Sequence, residues 1–365
     1  MAAAGGAVAA PSVVHSLAEL VTRIRSAAQF DDPQQYGASV VDTWLRVEIP
    51  GLLTTLAHLD TSMRRDGVVA LRLGDCALWE WSYQDNTSEI PDILLNQSDV
   101  TACPFFDITQ PTVTKGYGTK VLNFFDQLNQ AIGVRACFLY DASHLTLCGC
   151  HSVSYAFLKR LTTGRSWYNS FAFLELDTSD EGKGHHREPH DVRKVVAAFN
   201  KRFVATQALL RQTPASHVQQ WLQSVKVDAE RKYAESTSRF PPANYQTWQV
   251  SQQRLVAVNR SIQDAQPFLG QAHTMHDFFM QVVQAATSQN EPTACRLVEA
   301  LLTEDAFPFV GQLKRLWPSD RALVKFYQNE NGLPLKWYFT TNPDTGLARL
   351  EARVRRPSLV VQPSR

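Results

Sequence analysis

Gly116-Tyr117-Gly118-Thr119-Lys120 has the residue types of an anion cradle, with Lys115 beside it. The run leads straight into a stretch where Val121, Phe125, Leu128 and Ile132 recur on one helical face. The glycines therefore fall at a helix amino end. There the first amide N–H groups lack intrahelical partners and the helix dipole favours negative charge. Glycine lets a ligand approach the backbone closely and tolerates positive φ, and the two lysines add charge at the same point. Lys115, Gly116, Tyr117, Gly118, Thr119 and Lys120 are thus the candidate binding residues for a phosphate-bearing ligand. A purely structural turn is the alternative. The run is not a Walker loop, because no Gly-Lys-Ser/Thr follows at the required spacing. It is not a dinucleotide fingerprint either, since Val121 stands where the third glycine belongs.

Other chemistry-bearing residues read more plainly. Asp141 ends an apolar run, where α/β proteins often place functional groups, or it caps a turn. Cys148-Gly149-Cys150-His151 has no second ligand pair at zinc-finger spacing, so no structural metal is expected and the thiols read as small buried side chains. Cys150 and His151 are strand neighbours, which point to opposite faces and do not share a proton. His185, His186 and His190 lie among acidic residues in a Gly- and Pro-containing segment. That segment reads as a solvated linker instead of a metal site.

The elements that would position these groups change character near residue 180. Before it, β-rich runs alternate with helical patterns. Residues 15–28 carry Leu17, Leu20, Val21 and Ile24 at helical spacing, and 39–59 reads likewise with a break at Pro50-Gly51. Val68–Leu73 and Ala77–Trp81 around Gly74-Asp75 predict a β-hairpin. Cys103–Ile108 is a further short-strand candidate. Past the glycine turn come the helix, a stop at Gly133 and a buried strand over Val134–Tyr140. A second helix follows, capped by Ser152 and stopped at Thr163-Gly164. An aromatic-rich turn and strand then run from Ser166 to Leu176.

After 190, Asp191 caps a helix with Val192, Val195, Val196, Phe199, Phe203 and Val204 on one stripe. Val218, Trp221, Leu222 and Val225 form a second stripe, and 249–264, 273–287, 293–303 and 308–328 read as helical. Lys336–Thr340 and Leu347–Val354 around a Gly346-containing turn predict a closing hairpin.

The chain of 365 residues is 44% hydrophobic, enough for one large or two ordinary domains. Charged residues are 19% and the net charge is +1. Neither a nucleic-acid surface nor a polybasic membrane face is implied. No run of about 18 apolar residues is present, so no membrane span is expected. Six scattered cysteines fit a reducing, cytoplasmic setting. Residues 1–14 read as a flexible tail, 15–178 as one α/β domain with a mixed sheet flanked by helices, 179–190 as the linker, and 191–365 as a helical region ending in a hairpin.

The order of loop, helix, strand, helix and aromatic ending resembles the GNAT acyltransferase superfamily. Its Gln/Arg-x-x-Gly-x-Gly/Ala loop is similar to Val113-Thr114-Lys115-Gly116-Tyr117-Gly118. Its Phe-Tyr-x-x-x-Gly-Phe ending is similar to Trp167-Tyr168-Asn169-Ser170-Phe171-Ala172-Phe173. The resemblance spans residues 68–176 and implies a GNAT-like fold, acetyl-CoA or another acyl-CoA as cosubstrate, and an amine acceptor. It implies pyrophosphate binding by the Gly116–Lys120 backbone and a proton-donating Tyr168 at the thiol leaving group. Tyr168 reads otherwise as a core aromatic. Glu80, between Trp79 and Trp81, is the general-base candidate of such a site. Val113 and Ala172 depart from the pattern, and no Asn lies one or two helical turns before Tyr168. These departures motivate a second reading, a catalytically inactive scaffold that binds a partner. The Ser-Trp-Tyr-Asn run is also similar to acetyltransferase-like proteins of large DNA viruses, which would make the chain viral.

Overall fold

The computed structural model describes residues 12–28, 43–50, 53–63, 66–73, 76–90, 117–141, 143–148, 151–176, 191–238, 245–303, 307–317 and 322–355. The tail over 1–11, the strand candidate Cys103–Ile108, Lys115, Gly116 and the linker 179–190 lie outside them.

The chain begins with β1 (Ser12–Val14) and α1 (Leu17–Ala28), which buries Leu20, Val21 and Ile24 at helical spacing. An antiparallel meander follows: β2 (Thr43–Ile49), β3 (Leu53–Asp60), β4 (Val68–Leu73), β5 (Cys76–Ser82) and β6 (Thr87–Ile90). The helix expected over 39–59 is therefore a hairpin. Leu45, Val47 and Ile49 are buried, while Trp44, Arg46 and Glu48 alternate away from them. That period of two suits Thr, Val and Ile on a pleated surface. Pro50, expected to break a helix, directly follows the end of β2.

From β6 the chain reaches α2 (Tyr117–Ile132), which returns it to β7 (Ala136–Tyr140), parallel to β6. Val121, Phe125, Leu128 and Ile132 are all buried beneath α2. Gly133, at φ +82°, ends the helix, and the Arg25 guanidinium donates to the carbonyls of Ala131 and Ile132 at 3.1 Å. A cation there complements the helix dipole.

A small hairpin then forms from β8 (His144–Leu147) and β9 (His151–Ser154), followed by α3 (Tyr155–Thr163). The cap of α3 is Ser154, whose Oγ accepts from Phe157 N, and not Ser152, which pairs within the hairpin opposite Thr146. Gly164 closes α3 at φ +77°. A 3-10 turn over Tyr168–Phe171 and β10 (Leu174–Glu175) complete this part.

Among the described residues six helices come next: α4 (Val192–Gln212), α5 (Ser216–Thr237), α6 (Tyr245–Leu269), α7 (Met275–Ser288), α8 (Pro292–Thr303) and α9 (Pro308–Leu316). The Asp191 carboxylate caps α4 by accepting from the amides of Arg193 and Lys194. The run 308–328 is not one helix. It divides into α9 and β11 (Ala322–Phe326), where Leu323 and Lys325 point to one side of the sheet and Val324 and Phe326 to the other. β12 (Leu335–Thr341) and β13 (Ala348–Val354) pair antiparallel over seven positions.

The large sheet has the order β1-β2-β3-β4-β5-β6-β7-β11-β10. It is mixed, with β1-β2 and β6-β7 parallel and the other pairs antiparallel. Thus β11, from the region after the linker, lies between β7 and β10, and the sheet continues across the boundary read at residue 180. One face packs under α1 and α2 in a core with Trp79, Leu71 and Leu139. A second core joins α3 to the six later helices around Phe199, Phe203, Phe278 and Leu301.

That second core contains an unexpected covalent link. Cys148, at the β8–β9 turn, is disulfide-bonded to Cys295 in α8, with Cα atoms 6.3 Å apart and the two residues 147 positions apart in sequence. The expectation of unlinked thiols is corrected here. The pairing depends on the packing of the β8–β9 hairpin over α8, which residue spacing cannot reveal. Among the described residues, no helix is long and apolar enough to cross a membrane.

Candidate functional site

The candidate residues fall at three places. At the first, α2 begins at Tyr117, so Gly118, Thr119 and Lys120 occupy its opening turn. Gly118 and Thr119 are partly exposed and Lys120 is exposed. The amides of Gly118 and Thr119 are among those left without intrahelical acceptors at a helix start. This turn lies within a parallel β6–α2–β7 connection. β6 and β7 stay paired from Thr87↔Ala136 to Ile90↔Leu139, so no cleft opens between them along that stretch.

Tyr168 lies in the core under α2. It is 1% exposed, with the Trp167 ring 5.0 Å away and the Phe173 ring 6.3 Å away, both edge-to-face. The packing that buries it ends at Ala172, a non-glycine residue held at φ +65°. Just beneath, the Asn169 side chain accepts from Ser166 N at 2.6 Å and donates to Phe173 O at 2.7 Å, which fixes the turn.

Glu80 occupies the opposite side of the sheet from α2. Its neighbour Trp79 points under α2, where the indole N–H donates to Asn129 Oδ1 at 2.8 Å. Strand alternation then turns Glu80 away. There it joins Arg72 at 3.3 Å, and the same guanidinium pairs with Asp60. Burial raises the Asp60 pKa, but hydrogen bonds from Ser62 and Arg72 outweigh it and hold the carboxyl below the usual aspartate range. Glu80 and Tyr168 are therefore not brought together. Asp141 is a turn residue: its Oδ1 accepts from the Ser143 amide and hydroxyl.

A cluster that sequence reading missed sits between α2 and β11. Lys325 is 8% exposed and ion-pairs with Asp126, and Tyr327 donates its hydroxyl to the same Asp126 Oδ1 at 2.8 Å. Asn129 Nδ2 donates to Tyr327 Oη at 3.2 Å, while Asn129 Oδ1 also accepts from Ser88. Burial, with the Asp126 carboxylate alongside, pushes the Tyr327 phenol well above its ordinary pKa. Burial likewise lifts the Cys137 thiol to about 12. Both groups are neutral in the folded protein. The available signal was the alternation of Leu323, Lys325 and Tyr327, which the helical reading of 308–328 concealed. A cavity of about 380 Å³ opens above this cluster, under the β12–β13 hairpin.

No protein-family model, curated protein or solved structure matches this chain.

Proposed function

We propose that this chain is a GNAT-like protein that binds acetyl-CoA or another acyl-CoA through the amino end of α2 and passes the acyl group to an amine. The observation that carries the reading is the β6–α2–β7 unit, a parallel crossover whose helix opens with Gly118, Thr119 and Lys120. Free first-turn amides and the helix dipole suit a pyrophosphate. Ala172 adds support. It takes a left-handed conformation at the position where the aromatic ending of the resembled family has glycine. Direct attack of the amine on the thioester would use backbone amides to polarise the carbonyl. Binding of the cofactor in this reading requires neither Tyr168 nor Glu80.

The second reading is a non-catalytic GNAT-like scaffold, with the helices from 191 onward as a partner surface. It is favoured by the burial of Tyr168 and by Glu80 lying on the other side of the sheet. Calorimetric titration of the folded chain with acetyl-CoA, followed by an assay for thiol release with a panel of amines, separates the two. Binding that weakens in Lys120→Glu, with thiol release, supports the acyltransferase. Binding without turnover supports the scaffold, and no binding at millimolar ligand ends the acyl-CoA reading.

A further inference from the structure

We propose that the cavity beneath the β12–β13 hairpin is a binding site for a small organic anion, a phosphate ester or carboxylate attached to a flat apolar group. The site is distinct from the α2 amino end. Asp126 lies nine positions into a helix that rises about 1.5 Å per residue, so roughly 13 Å of α2 separate the two.

The floor of the cavity is a fully assembled polar cluster. Asp126 receives both Lys325 and Tyr327, and Tyr327 in turn receives Asn129. The Tyr327 hydroxyl is therefore committed as donor and as acceptor. Lys325 is different. Its ammonium has three N–H donors, and among the described residues its one hydrogen-bond acceptor is Asp126. Phe173 and Tyr327 offer it only ring faces, at 5.9 and 5.3 Å. A cation this deeply buried carries donor capacity that the described residues leave unused, in a lined space of about 380 Å³.

The rim repeats the sign of charge. Arg355 is exposed at the mouth, while Lys336 borders it with its ammonium over the Tyr338 ring at 5.2 Å, on the hairpin face opposite Trp337 and Phe339; neither has an ion-pair partner among the described residues. Lys325 and Arg355 against the single carboxylate of Asp126 leave the lining one positive charge in excess, with Lys336 adding a further cation from the outer face of the hairpin. A site of this kind raises the local concentration of anions. Trp337 and Phe339 supply an apolar wall, which a bare inorganic ion would not use and a ring would. The volume lies at the small end of the range for ligand pockets, about 300 to 1,000 Å³. That suits a single ring with its anionic group.

The walls are held in place. Asn200 of α4 exchanges two hydrogen bonds with the Leu350 backbone, both at 2.8 Å, and Gln207 does the same with Ala348, both at 3.0 Å. Trp337 Nε1 donates to Phe326 O at 2.8 Å. The hairpin thus covers the cavity as a fixed wall.

The test is calorimetric titration of the full chain with phenyl phosphate, benzoate and inorganic phosphate, in parallel with a Lys336→Glu/Arg355→Glu variant. Both substitutions are at exposed positions, so the fold persists, and far-UV circular dichroism verifies it. The expected result is binding of phenyl phosphate or benzoate at least about tenfold tighter than inorganic phosphate, lost about tenfold or more in the double variant. Absence of binding by either aromatic anion, inorganic phosphate binding as tightly as phenyl phosphate, or undiminished binding in the variant would each overturn the proposal. Acetyl-CoA titration of the same variant keeps the two sites apart, because the α2 site predicts no change there.

Discussion

Tyr327 and Asp126, 201 positions apart in sequence, share a 2.8 Å hydrogen bond that ties β11 to α2. The same carboxylate neutralises Lys325. Removing it leaves an ammonium that is nine-tenths buried without a counter-charge, and such losses cost about 3–5 kcal/mol. Asp126→Ala is expected to lower stability by about that amount in urea unfolding. Adding Lys325→Met should recover a large part of the loss. Additive losses in the double variant would show that the two residues do not act as a pair.

The Cys148–Cys295 link closes a loop of 147 positions. Loop-closure entropy for that length amounts to about 5 kcal/mol, so Cys148→Ser should markedly lower the Tm. Reductant should lower the Tm of the wild-type chain and leave that of Cys148→Ser unchanged. In a reducing compartment the chain would carry two thiols and the lower stability. Equal melting of wild type with and without reductant would show that the link does not stabilise the fold.

Several elements were legible because one interaction dominates each of them. The burial of Val121, Phe125, Leu128 and Ile132 follows from their helical period, and Asp191 caps α4 as its side chain suggests. Gly164 takes the positive φ that the stop at Thr163-Gly164 required. The β4–β5 hairpin also lies where its alternation indicated. Errors arose where two periods fit one run. In 39–59 and 308–328 apolar residues are dense enough to satisfy either spacing, and sheet pairing decides. The paired partners β7 and β11 are almost two hundred positions apart, so no local signal reveals them. The helix that begins at Tyr117 was readable from its own stripe. The Lys325–Asp126–Tyr327 cluster was not, because it exists only once β11 is a strand.

Asp141 is buried, and desolvation raises its pKa above the ordinary aspartate value despite the opposing hydrogen bonds from Ser143. The folded state therefore holds this proton more tightly than the unfolded chain. The associated stability is complete below the unfolded aspartate pKa, about 3.9, and is lost as pH rises through the folded value. Asp141→Asn removes the titration. Relative to wild type, its urea midpoint should improve between pH ~4 and pH ~7. A constant difference across that range would contradict the assignment.

Ala172 sits at φ +65° in a buried turn. A left-handed conformation costs a residue with a Cβ about 1–2 kcal/mol, whereas glycine adopts it freely. Part of that gain is offset by the greater freedom of glycine in the unfolded chain. Ala172→Gly should therefore raise stability by up to about 1 kcal/mol in thermal or urea unfolding. A loss of similar size would mean that the methyl group's packing outweighs the backbone strain.

The claim on which the functional account rests is that an acyl-CoA pyrophosphate is bound by the opening turn of α2. Backbone amide NMR of the folded chain during acetyl-CoA titration tests it most directly. The account predicts saturable shifts at Gly118, Thr119 and Lys120, weakened in Lys120→Glu, with the amides around Lys325 unmoved. Unmoved amides at Gly118–Lys120 under saturating acetyl-CoA, or shifts confined to the cavity beneath the hairpin, would contradict it.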